Sequence, residues 1–200
     1  MIISDQLGSG IDDLWADGGR VSWLENTGDS DHAKWTRRTI GRSPGINCVR
    51  AGHFTRDDRW QICAVSIMVK SNDLTTPGPV IIFTAPDDPR THDGDWSSEL
   101  VFEAPLVHEV VVIPKGESGL CHDQILLAGR DGIDLLWHND GKWESYNVGR
   151  GLPQSPGNPY WGAGSVAFGR VGSDYAAYIP ATEVGFFHIS GATFSSVGPM

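Results

Sequence analysis

Three segments of this 200-residue chain share an x-x-Val pattern and gather its candidate chemistry: Asn47-Cys48-Val49, His108-Glu109-Val110 and Gly164-Ser165-Val166. If each opens an equivalent strand, Asn47, His108 and Gly164 crowd one end of a shared channel. An imidazole titrates near neutrality, so His108 is a candidate metal ligand or general base, with the neighbouring Glu109 carboxylate to orient it. The plainer reading is a hydrogen-bonded histidine at a strand start. Asn47 adds an amide for substrate contact. Tyr160 and Trp161, just ahead of the Gly164 segment, can stack a flat apolar face on the C–H groups of a sugar ring or pack between repeats. In Asp5–Asp13, DQLGSGIDD, the residues Asp5, Gly10 and Asp13 fit a worn calcium-type loop for calcium or magnesium. Leu7 and Ser9 weaken that loop, and a plain glycine turn is its alternative. The chain has no glycine-rich phosphate loop, nucleophile elbow or His-Glu-x-x-His, so no nucleotide or organic cofactor is expected.

The elements that must position these residues are legible around Asp123–Gly149. Gln124–Ala128 and Ile133–His138 read as apolar strands, Trp143–Val148 as a third with polar alternation, and Asn139–Gly141 as a tight hairpin turn. The same close recurs elsewhere. Trp35 is followed by Ile40, Trp96 by Val101 and Trp143 by Val148, each five residues on. Asn26 and Asn139 stand at matching places before Gly28 and Gly141. A repeated strand-turn-strand unit with these spacings predicts an all-β fold, a β-propeller of about four blades. The blades are expected over 1–41, 46–102, 106–149 and 164–189, with 190–200 an irregular tail. The three tryptophans are expected to be packing residues.

Composition agrees. Glycine (25 residues) and tryptophan (8) are abundant, as in a protein dense in turns. A formal net charge of −10 without a basic stripe excludes a nucleic-acid backbone as partner. The amino terminus lacks the basic and apolar stretches of a secretory signal, and no apolar run approaches bilayer length, so an intracellular protein without membrane contact is the default. Cys48, Cys63 and Cys121 lack CxxC spacing; Cys48 and Cys63 read as small buried hydrophobes. His53 and His122 fall in turns, where a local hydrogen bond is expected.

The runs LVHEVVVIP (106–114), LPQSPGNPYWGAGSVAFGRVG (152–172) and DYAAYIPATE (174–183), with Asp123–Gly149, resemble the β-propeller part of the fungal aldos-2-ulose dehydratases, also called 1,5-anhydro-fructose dehydratases. More distantly they are similar to FG-GAP or VCBS-type propellers. The resemblance implies an incomplete part of a seven-bladed propeller that is followed by cupin domains, in a lyase that eliminates water from a ketosugar with zinc or another divalent metal. A carbohydrate-derived small molecule is the implied ligand, and missing blades, cupin domains or a second copy are the implied partners. Glu183 and His188 are implied remnants of a Glu-Pro-Phe-His-Gly-like site segment, which adds Glu183 and His188 to the catalytic candidates and His188 to His108 as a zinc ligand. Their altered spacing, and the fading blade pattern after them, are read as marks of a truncated product. A non-catalytic propeller that binds through its loops is the competing reading.

Overall fold

A computed structural model describes residues 1–5, 18–26, 28, 35–69, 74–151, 162–171, 174–178, 186–190 and 193–197, with the backbone alone at 118 and from 170 onward. Its strands form four antiparallel sheets in chain order. The first holds β1 (Ile2–Asp5), β2 (Arg20–Glu25) and β3 (Thr36–Arg42). The second holds β4 (Ile46–Gly52), β5 (Gln61–Ser66), β6 (Pro77–Thr84) and β7 (Ser97–Pro105). In the third, β8 (Glu109–Ile113) is followed by the short helix α1 (Lys115–Ser118), then β9 (Gln124–Gly129), β10 (Gly132–Asn139) and β11 (Lys142–Gly149). The fourth holds β12 (Ala167–Val171), β13 (Asp174–Tyr178), β14 (Phe186–Ser190) and β15 (Thr193–Val197). The first strands of successive sheets touch, β1 against β4, β4 against β8 and β8 against β12. These are propeller blades with their inner strands side by side.

Period-two alternation explains why the middle strands are apolar throughout. On β5, Ile62 and Ala64 join Val21, Ile40 and Phe83 in the core between the first two blades, while Cys63 and Val65 join Ile125, Leu127 and Val110 in the next. On β9 the same split sends Leu126 and Ala128 towards Val166 and Ala163 of the fourth blade. A strand covered on both faces has no polar side to show. Burial also explains the cysteines: Cys63 is fully buried, its thiol pushed far up by desolvation, and Cys48 is half-buried. Cys121 is exposed.

The Trp-x4-aliphatic signature marks a β-bulge. In the first blade Val21 faces Gly41 and Ser22 faces Thr39, so Ile40 is the extra residue. Val101 is skipped in the same way between Phe102 and Leu100, and Val148 between Gly149 and Asn147. A bulge adds one residue to one strand and sharpens its twist. Each skipped side chain meets the core: Ile40 and Val148 are buried, and Val101 packs against the second core cluster. The hairpin at Asp140-Gly141 has φ of 47° and 79°, the two positive values that a type I′ turn requires.

Two expectations are corrected. The segment 190–200 is not irregular throughout, because Thr193–Val197 pairs with β14 from Phe186↔Val197 to Ser190↔Thr193 and completes the fourth blade. Its Thr-Phe-Ser-Ser-Val composition suits a strand without the tryptophan that marks the other outer strands. Among the tryptophans, Trp96 is buried and Trp143 packs on the core, but Trp35 is 41% exposed. It lies ahead of its strand, where little covers it.

Candidate functional site

Asn47 and His108 are brought together at one end of the inner strands. Asn47, one residue into β4, donates through Nδ2 to the His108 carbonyl at 2.8 Å, and its own carbonyl accepts from Ser4 Oγ at 3.4 Å. Three inner strands are thereby tied at one end. His108 stands just before β8, its backbone N–H donating to Ala128 O at 2.8 Å, with the side chain exposed. Partial desolvation holds its imidazole below the ordinary value of 6.5, so the ring is neutral near pH 7 and its nitrogen lone pair is available. A titration of the His108 ring by NMR is accordingly expected to give a midpoint below that of a histidine in a short peptide. The linkage sign follows: a depressed basic group contributes stability above its unfolded value, and loses it as pH falls through the folded one.

Glu109 does not serve His108 as expected. The carboxylate is taken by other blades. Its Oε1 lies 3.7 Å from Arg50 Nη2 of β4. Its Oε2 accepts from Ser165 Oγ and, at 3.4 Å, from the Val166 N–H ahead of β12. One carboxylate thus spans three blades. Arg50 is held in turn by Cys48 Sγ and Val49 O, at 3.1 and 2.9 Å. The Arg50 pair is half-exposed and adds little by itself, so the hydrogen bonds to the fourth blade carry the effect. Replacing Glu109 by alanine is expected to cost about 1–2 kcal/mol and to speed amide exchange at Val166 while leaving β9 and β10 protected, read by hydrogen exchange.

Among the other candidates, Asp5 is on β1 and its carboxylate lies 3.7 Å from Arg37, a surface pair. Asp13, Tyr160, Trp161 and Glu183 lie outside the described residues. His188 is on β14, where it faces Ala176 of β13 and Ser195 of β15. That places it in the third strand of its blade rather than on an inner strand. Among the described residues no group of three or more histidines, cysteines or carboxylates is arranged to hold a metal ion.

The sequence reading missed Arg50, Ser165 and Asp123. Asp123 accepts from the His53 N–H at 2.7 Å and from the Lys115 N–H at 2.9 Å, joining the inner turns of the second and third blades. Its place at the head of the most regular repeat was the available signal. His53 makes the expected local contact, Nδ1 to Arg59 O at 3.0 Å. His122 Nδ1 instead lies 3.8 Å from Asp57.

Residues 18–195 match the family described as aldos-2-ulose dehydratase, beta-propeller domain. The chain belongs to that family. It is 56% identical over 190 residues to the aldos-2-ulose dehydratase of Phanerodontia chrysosporium, a match covering 94% of this chain and 21% of that protein. The chain therefore spans about a fifth of the length of this relative. Within this aldos-2-ulose dehydratase propeller, Asn47 and Glu109 link the four blades through Ser4, His108, Arg50 and Ser165. The matched region also includes the aromatic segment ahead of Gly162.

Proposed function

We propose that this propeller serves the elimination of water from an aldos-2-ulose, with the channel mouth as its site and His108 as the base. The supporting observation is the exposed His108 ring, kept neutral and fixed through its backbone by Asn47 and Ala128, in a chain 56% identical to a dehydratase. The chemistry asks for one proton to leave the carbon next to the carbonyl. The electrons of that C–H bond form an enolate and then a carbon–carbon double bond as hydroxide departs from the next carbon, taking a proton to leave as water. Neutral His108 accepts the first proton. As imidazolium it can return that proton to the departing hydroxide, so that one group serves both steps.

A divalent metal would stabilise the enolate oxygen. The described residues bring no ligand set together for one, and His108 is the one candidate ligand placed at the mouth, so no step here runs through a metal. A second reading, binding of the sugar without turnover, is favoured by the commitment of Glu109 to Arg50 and Ser165, which leaves His108 without a carboxylate to orient it. The near-ultraviolet absorbance of the enone product separates the two. Its growth on mixing the chain with an aldos-2-ulose supports elimination, saturable binding without absorbance supports the second reading, and neither effect overturns both.

A further inference from the structure

At the opposite end of the inner strands, Trp23, Trp60 and Trp96 line an apolar groove of about 510 Å³ between the first and second blades. Ala51 of β4 forms part of its wall, four residues along that strand from Asn47 and so roughly 13 Å away at about 3.3 Å per residue. We propose that this groove is a second binding site, for the pyranose ring of a neutral sugar, separate from the channel mouth and independent of the elimination chemistry assigned there. Trp60 supplies the platform. It is 58% exposed, and its ring is backed by the His53 imidazole at 4.4 Å between centroids with 34° between planes. His53 is fixed in turn by Arg59 O and the Asp123 carboxylate, so the platform is ordered before a ligand arrives. An indole face of this kind gains by covering the C–H face of a sugar ring, and the volume lies within the usual range for small ligands, about 300–1,000 Å³.

The charges bordering the groove decide what kind of ring it takes. Arg90 pairs with Glu25 at 2.8 Å, and Glu25 also accepts from Arg38 at 3.2 Å. Asp88 accepts from the Arg90 N–H at 2.9 Å and from Thr91 Oγ1 at 3.1 Å. An ionic ligand would bring a net charge beside groups already engaged. A neutral polyol brings none, and its hydroxyls can donate to the spare lone pairs of Asp88 and accept from the remaining guanidinium protons of Arg90. The face of Trp23 is already approached by the Arg38 guanidinium at 5.8 Å, which disfavours a ligand cation there.

The test is titration of the full chain with methyl α-glucopyranoside, with maltose and with tetramethylammonium, followed by tryptophan fluorescence and ligand-observed NMR. Saturable binding of a glycoside is expected, weakened roughly tenfold or more by Trp60→Ala, less by Trp60→Phe and by Arg90→Ala, and unchanged by His108→Ala. Thermal midpoints close to wild type for the Trp60 variants separate a lost platform from a lost fold. Binding of tetramethylammonium in place of the glycosides, glycoside binding that survives Trp60→Ala, or no response to any probe would overturn the proposal. Loss of glycoside binding in His108→Ala would also overturn it, by moving the sugar to the channel.

Discussion

Replacing Gly162 by alanine is expected to cost about 3 kcal/mol or more and to lower the thermal midpoint by roughly 6–12 °C. Gly162 sits at φ +85°, where an L side chain is strained. A Cβ built there would lie 2.2 Å from the Arg130 carbonyl oxygen and 2.4 Å from that of Gly129. Both obstacles are backbone, and the turn that carries them is held on both sides: Ala163 N–H donates to Gly129 O at 2.9 Å, and Arg130 N–H donates to Pro105 O at 3.1 Å. The β9–β10 turn is therefore wedged between the end of β7, which leads into its own blade, and the segment that leads into the next. No side-chain rotation can relieve the clash. Gly164, two residues on, is the internal control, because an added Cβ meets nothing within 4 Å. Gly164→Ala is expected to change stability by no more than about 0.5 kcal/mol. Chemical denaturation of both variants checks the contrast.

The second large effect is expected at His108. Removing a positioned general base typically costs about 10²–10⁴-fold, so His108→Ala is expected to lower the rate of enone formation by that much with little change in thermal midpoint, because the ring is exposed. The pH dependence follows from the depressed imidazole. The base is active when neutral, so the acid limb of the rate profile is expected below the ordinary histidine value of 6.5 rather than above it. Glu109→Gln provides the comparison. Its amide can still accept from Ser165 and Val166 but no longer pairs with Arg50, and the carboxylate does not orient His108, so its rate is expected to stay within roughly tenfold of wild type. A loss at Glu109 as large as that at His108 would show the carboxylate acting in the chemistry.

Much of this architecture was legible because β repeats print their periodicity directly. Gln124–Ala128 reads as an apolar strand since both of its faces are covered, and Trp-x4-aliphatic recurs because β3, β7 and β11 each carry the same bulge. The juxtaposition of Asn47 and His108 followed from aligning inner strands, since equivalent positions on neighbouring blades stand at equal height. What escaped was direction and cross-blade pairing. Glu109 adjoins His108 in sequence, but its carboxylate turns to Arg50 and Ser165, and nothing local announces partners 59 and 56 residues away. Trp60 carries no repeat signature, and only the folded chain shows it set against His53 beside Trp23 and Trp96. The strand Thr193–Val197 lacked the tryptophan that marks the other blades, so its pairing with β14 shows only in the backbone.

Proton abstraction by His108 is the step on which the channel assignment depends, and exchange of the substrate proton next to the carbonyl for solvent deuterium reads it without requiring hydroxide to leave. The aldos-2-ulose would be incubated in heavy water with the wild-type chain and with His108→Ala, and that proton followed by NMR. Exchange accelerated by the wild-type chain and returned to the background rate by His108→Ala is the predicted result. Exchange at the background rate with both chains, or equally fast with both, would contradict the assignment of the base.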